Sequence, residues 1–231
     1  MKMLTKYRRA AAVLSALCLI LGLAGCGSGT SGSTSGKDAY QAYVISIMDA
    51  NYLGKYDKYM EITGSAEAEA QKIYEANVQD FALEMEDAFS IKQDVVSVAL
   101  TERVIGMAKT VYSQAKYQAV DVIRDGDTYT VSVEIEPIDF FGTIKEPFRS
   151  AVDAFNLRAK NGEFDNLTNE EYEEVYGEAV VAALEGKLSP VTYASKIKVD
   201  ITLDYDKDNN VYVISDEQME GLDDKVVNMS R

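Results

Sequence analysis

The 231-residue chain has no histidine, no tryptophan, three prolines and two cysteines, Cys18 and Cys26. Without histidine there is no Ser-His-Asp or Cys-His catalysis, no histidine-ligated zinc, iron or copper, and no imidazole titrating near neutrality. Acid–base chemistry would fall to Asp, Glu, Lys or Tyr. Bases are also scarce: 23 stand against 38 acids, a net charge of −15. A surface of that sign repels nucleic acid and anionic headgroups, so no nucleic-acid partner is expected. No phosphate loop, GxSxG elbow or dinucleotide fingerprint occurs, and no cofactor is implied. What is present is an ordinary globular composition, 47% hydrophobic and 26% charged, with apolar mass enough for a core.

Basic residues are in excess only at the start. Lys2, Lys6, Arg8 and Arg9 precede an apolar run from Ala10 to Ala24, interrupted by Ser15 and Gly22. The run is shorter than the ~20 residues a helix needs to cross a bilayer. A basic head with a short apolar stretch is the pattern of a secretory signal. It ends in Leu23-Ala24-Gly25-Cys26, which resembles a bacterial lipobox. The resemblance implies cleavage before Cys26 and acylation of its thiol. Each buried CH₂ of such chains contributes about 0.8 kcal/mol, and two chains, palmitate among them, suffice for stable anchoring.

The expected organisation is a signal peptide over 1–25 and a lipidated Cys26 on a Gly/Ser tether reaching residue 36. One α+β domain follows over 37–220, then a loose tail over 221–231. Removing residues 1–25 would take four bases, no acid and Cys18, moving the charge from −15 to −19. With Cys26 acylated no thiol remains for a disulfide or a metal. Ten Gly, Ser and Thr residues form a flexible coil with an r.m.s. span of roughly 17 Å.

The body reads as helices, hairpin, helices, hairpin. Tyr40, Tyr43, Val44, Ile47 and Met48 predict a helix over 38–53 ended by Gly54. Ala70 to Phe89 predicts a long helix, and Thr101 to Ala115 a third. The period then falls to two: Tyr129, Val131, Val133 and Ile135 alternate with polar residues after an Asp125-Gly126-Asp127 turn. In the second half Pro147 marks the first turn of a helix burying Phe148, Val152 and Phe155. Thr168 and Glu171 form a capping box, and Gly186 closes that helix in the left-handed region. Ile197 to Tyr205 and Val211 to Ile214 make a second hairpin. The expected fold is an antiparallel sheet of about four strands, in two hairpins, with about five helices on one face. The halves 37–136 and 143–216 have the same order of elements.

The stretch Tyr43-Val44-Ile45-Ser46-Ile47-Met48-Asp49-Ala50-Asn51-Tyr52-Leu53-Gly54-Lys55-Tyr56-Asp57-Lys58-Tyr59-Met60, with the lipobox and tether, resembles a group of cell-surface lipoproteins of unknown function from Firmicutes, chiefly clostridia. The resemblance implies a Gram-positive cell and the extracytoplasmic face of its plasma membrane. It supplies no catalytic residues. The helix-then-hairpin order is also similar to cystatin-like and nuclear-transport-factor-like α+β folds, which hold a pocket or serve as interaction modules.

Several residues compete for a functional role. Tyr52, Tyr56 and Tyr59, at i, i+4 and i+7, would suit a platform for a sugar or peptide, or simply close a helical hairpin on the core. Asp204, Asp206 and Asp208 are spaced like the start of a calcium loop, but Asn209 and Ser215 occupy the places of its glycine and glutamate, and a polar turn explains them as well. Glu170, Glu171, Glu173 and Glu174 suit a solvated first helical turn. In the loop Pro137 to Gly142, Phe140 and Phe141 either close the core or present an apolar surface. The leading expectation is a non-enzymatic binding or interaction module anchored by lipid, meeting an envelope protein, peptide or glycan. A carboxylate-dependent wall hydrolase is the alternative, and would need two facing carboxyls ~5–9 Å apart. A structural accessory subunit without a ligand pocket is the third reading.

Overall fold

A computed structural model describes residues 36–208 and 211–230; the leader, Cys26 and the tether up to residue 35 lie outside the described residues. In chain order the elements are α1 (Gly36–Met48), α2 (Asp57–Thr63), α3 (Glu67–Phe89), α4 (Val98–Tyr112), β1 (Lys116–Asp125), β2 (Thr128–Glu136), β3 (Ile138–Asp139), α5 (Phe140–Lys160), α6 (Asn169–Leu184), β4 (Thr192–Tyr193), β5 (Ile197–Asp206), β6 (Val211–Val213), α7 (Asp216–Val226) and β7 (Val227–Asn228). The class is α+β, with an antiparallel four-stranded sheet ordered β1-β2-β5-β6 and a second, three-stranded sheet ordered β4-β3-β7. The described residues hold seven α-helices where about five are expected. None of them is long and apolar enough to cross a membrane. The described residues form two compact units, one from residues 36–76, Gln118–Glu134 and Lys198–Leu222, the other from Asn77–Tyr117, Ile135–Ile197 and residues 223–230.

In the first unit α1 buries Tyr40, Tyr43, Val44, Ile47 and Met48, one face at i, i+3, i+4, i+7 and i+8. The helix widens into a single π turn, Asp49–Leu53. Gly54 ends it at φ 62°, its amide bonding the Asp49 carbonyl, a conformation that favours glycine. The short helix α2 follows, a second stop at Gly64 having isolated it from α3. On the sheet, Val131, Val133, Ile201 and Leu203 point inward. β6 pairs antiparallel with the end of β5, Tyr205 opposite Tyr212. β6 is too short to reach Thr202. There the Gln218 side chain of α7 takes its place, accepting from the Thr202 amide at 2.7 Å and donating to its carbonyl at 3.3 Å. Ser132 is buried on the sheet and donates to Asp200 at 2.6 Å across to β5.

The second unit is mainly helical. Phe81, Phe89 and Phe140 form an aromatic core, with ring centroids 5.9 and 6.0 Å from Phe140. The 137–142 segment is not a loop: β3 occupies 138–139 and α5 begins at Phe140. Asp139 caps that helix by accepting the Gly142 amide at 2.9 Å. Pro147 therefore lies inside α5 rather than in its first turn. The helix forgoes one amide bond there and persists because Phe140 and Ile144 before it, and Phe155 after it, are buried. The capping box on α6 forms as expected, Thr168 accepting from Glu171 N at 3.2 Å and Glu171 from Thr168 N at 2.8 Å. Its end differs: a 3₁₀ turn over Glu185–Lys187 follows, and Gly186 is not left-handed. Gly177 lets α6 approach α4, since a Cβ there would lie 2.5 Å from Leu100 Cδ2. Past Gly221, where the sequence suggests a loose tail, the chain is α7 and then β7. Leu222, Val226 and Val227 are buried, too sparse an apolar pattern to announce a helix.

Candidate functional site

The second unit contains an open groove of about 690 Å³, lined by Pro137, Ala194, Ser195, Ile197, Asp224, Lys225, Asn228, Met229 and Ser230. Its walls are the chain segments flanking the small sheet. β3 pairs antiparallel with β4 and parallel with β7, so the residues after β4 and after β7 are brought to Pro137, which precedes β3. The Ala194 amide donates to the Pro137 carbonyl at 2.8 Å. The approach to β4 is fixed from the turn after α4: Gln114 donates to the Leu188 carbonyl at 2.7 Å and accepts from the Val191 amide at 3.1 Å. Tyr193 donates to the Gln114 carbonyl at 2.7 Å, and Lys116 lies 3.8 Å over its ring. Thr143 and Thr192 share a hydroxyl contact of 2.9 Å beside the Asp139 carbonyl. At the far wall the Asn228 side-chain oxygen accepts the Ser230 amide at 2.9 Å. These bonds tie the segments around β3 and β4 together, and Ser195, Asp224, Lys225 and Asn228 bring polar side chains to the lining.

The same unit encloses a carboxyl. Glu86 of α3 has no solvent exposure, and neither carboxyl oxygen makes a hydrogen bond of good geometry. Burial raises its pKa, and the nearby Thr101 hydroxyl on α4 pulls it partly back. By contrast several acids of α6 and of the turn after it are engaged. Glu173 pairs with Lys92, Glu174 accepts from the Ser97 amide and hydroxyl at 2.7 and 2.6 Å, and Arg103 holds Glu185 at 2.7 Å and also bonds Glu178. Within the run Glu170 to Glu174, Glu171 belongs to the helix cap, and Glu173 and Glu174 reach Lys92 and Ser97 just ahead of α4, so it is not a purely solvated face.

In the first unit, tyrosines gather between α1 and the sheet. Tyr40 stacks on Tyr129 at 3.7 Å, Tyr212 meets both edge-on at 5.2 and 5.3 Å, and Arg124 sits 5.4 Å over Tyr129. Tyr43 donates to the Tyr212 carbonyl at 3.1 Å. Burial, then hydrogen bonds to Tyr129 and Tyr212, push the Tyr40 phenol far up; burial raises Tyr43 to about 12.

The tyrosines singled out in the sequence are placed differently. Tyr52 is wholly buried and Tyr59 is 4% exposed, while Tyr56 is half-buried with its ring 6.4 Å from Tyr74. The π turn and the left-handed Gly54 break the helical register between Tyr52 and the other two, so the three do not form one exposed platform. Phe140 is wholly buried, and Phe141 packs edge-on against it at 5.5 Å, half-buried. Asp204 accepts from Thr128 at 3.4 Å, and Asp206 accepts the Asp208 amide at 3.0 Å, the bonding of a polar turn. Among the described residues no cluster of three acids or thiols is placed to hold a metal ion. The groove was not foreseen. Its residues come from three distant segments, and only the pairing of β3 with β4 and β7 joins them.

Neither a protein-family model nor a curated protein matches the chain. Among solved structures it is similar to the crystal structure of ycdA, a candidate lipoprotein from Bacillus subtilis, with a TM-score of 0.57 at 13% identity, covering 82% of this chain. The likeness is one of fold, and this chain spans 56% of the length of that one.

Proposed function

We propose that the chain is a membrane-anchored extracytoplasmic lipoprotein whose body is a non-enzymatic binding or interaction module at the cell envelope. The observation that carries this reading is Cys26, at the end of Leu23-Ala24-Gly25, behind a basic and apolar leader and ahead of a Gly/Ser tether. Acylation there would supply the two chains that stable anchoring requires. The shared fold with a candidate lipoprotein of Bacillus subtilis agrees with it. An outward-facing body on a short tether would meet peptides, glycans or envelope proteins.

The hydrolase alternative asks for a raised acid open to substrate. Glu86 has the raised pKa but is sealed from solvent, so it cannot reach a glycosidic bond. The accessory-subunit reading has no use for the groove, which favours a binding role. The test is Cys26→Ser, followed by cell fractionation and mass spectrometry of the N-terminus. The wild type should carry diacylglycerol on Cys26 and pellet with membranes, and the variant should be uncleaved or released. A wild-type chain without acyl chains, or a variant that retains them, would overturn the anchor.

A further inference from the structure

We propose that the groove of the second unit binds a short peptide with both termini free, its carboxylate met by Lys225 and the Asn228 side-chain amide and its ammonium by Asp224. The proposal deepens the binding-module reading and rests on it. Asp224 and Lys225 are neighbours near the end of α7, and adjacent helical residues diverge by about 100°. They cannot neutralise one another and are available to grip two ends of a ligand. Among the described residues neither side chain has a hydrogen bond or ion pair, whereas Lys92, Arg103 and Arg158 of the same unit are all paired with carboxylates. Asn228 spends its oxygen on the Ser230 amide, leaving its NH₂ as the group free to donate. Pro137 and Ile197 supply an apolar wall for side chains between the two ends. The volume, about 690 Å³, falls within the ~300–1,000 Å³ of small-ligand sites and exceeds what one amino acid fills.

Charge argues for the same class. A chain of net charge −15 repels a bare anion at long range, but a zwitterion brings no net charge and is read locally by one cation and one anion. A neutral glycan would draw on neither charge, both of which stand exposed beside the groove.

Calorimetric titration of the full chain in detergent tests this with trialanine, its C-terminal amide and its N-acetyl derivative. Free trialanine should bind, and each blocked form should bind about tenfold or more weakly. Lys225→Met should weaken free trialanine to the level of the amide and abolish the preference for a free carboxylate. Asp224→Asn should do the same for the acetyl form. Thermal melts of both variants should match the wild type, since neither side chain has an internal partner. No heat with free trialanine up to about 10 mM, or end-group preferences that survive both substitutions, would overturn the proposal. Mass spectrometry of the same preparation keeps the two readings apart. Acylated protein that takes up no trialanine sinks the groove and leaves the anchor. Unacylated protein that binds it does the reverse.

Discussion

In the first unit the polar side-chain atoms that enter the core are hydroxyls, the phenols together with Ser46, Thr63 and Ser132; in the second they include a carboxyl. Tyr40, Tyr43, Tyr129 and Tyr212 bring apolar rings into contact and satisfy their hydroxyls on one another or on a backbone carbonyl. The titration of Tyr40 and Tyr43 is displaced upward, to about 12 for Tyr43 and further for Tyr40, so that these two phenols carry no charge at any physiological pH. The second unit builds its core from Phe81, Phe89 and Phe140 and then places Glu86 among the helices with no hydrogen bond of good geometry. A phenol can be buried at little electrostatic loss because its neutral form is the stable one. A carboxyl must either hold its proton or sit charged in a low dielectric.

The comparison is broken most severely by removing the second unit's aromatic centre. Phe140→Ala deletes a side chain with no exposure that touches Phe81, Phe89 and Phe141, and should destabilise the protein by about 3–5 kcal/mol in chemical denaturation. Hydrogen exchange should show the loss in α4, α5 and α6. A loss under about 1 kcal/mol would mean that the ring is not the packing centre.

Glu86 sharpens the contrast through pH. Its folded pKa lies above its unfolded one, so the folded state holds the proton more tightly. Its contribution to stability is fully present in acid, below the unfolded value of about 4.3, and is lost as pH rises through the raised folded value. Glu86→Gln keeps the shape and removes the titration. It should flatten this part of the stability–pH curve and raise stability above that window, by about 1–3 kcal/mol for an unsatisfied buried group. Tyr40→Phe is the counterpart in the first unit. It keeps the stack on Tyr129, removes one buried hydroxyl and should lower stability by about 1 kcal/mol with no change in pH dependence between 5 and 8. A Glu86→Gln curve parallel to wild type, or a Tyr40→Phe curve of new slope, would erase the distinction.

What could be read from the sequence follows the same division. Local signals were legible: the face of α1, the stop at Gly54, the turn at Asp125-Gly126-Asp127, and the Thr168–Glu171 box all depend on residues within a turn or two of each other. The burial of Glu86 was not, because a glutamate on an otherwise amphipathic helix reads as part of its wet face. Nor was the start of α5, since Pro147 is a stronger local signal than Asp139, whose cap is recognisable only once Gly142 sits against it. The groove was illegible for a different reason. Residue 137, residues 194–197 and residues 224–230 are joined only by the pairing of three two-residue strands, and strands that short leave no periodicity.

The smallest effect concerns the clasp between α4 and α6. Arg103 uses its planar fork on Glu185, with Nε at 2.7 Å and Nη2 at 3.0 Å, and turns its remaining nitrogen to Glu178. These bonds lower the Glu185 pKa and raise that of Arg103. Arg103 is about a third exposed and Glu185 somewhat more, so water and salt screen the attraction. Arg103→Lys preserves the charge but replaces the fork with a single point donor. The expected loss is under about 1 kcal/mol, shrinking further as salt is raised. The sign of the pH effect is opposite to that of Glu86. The Glu185 contribution is present above its unfolded pKa and disappears as pH falls through the lowered folded value. A double-mutant cycle of Arg103→Lys with Glu185→Gln would measure the coupling directly. A coupling of several kcal/mol, insensitive to salt, would mean that the clasp is a buried structural bond instead of a screened surface fork.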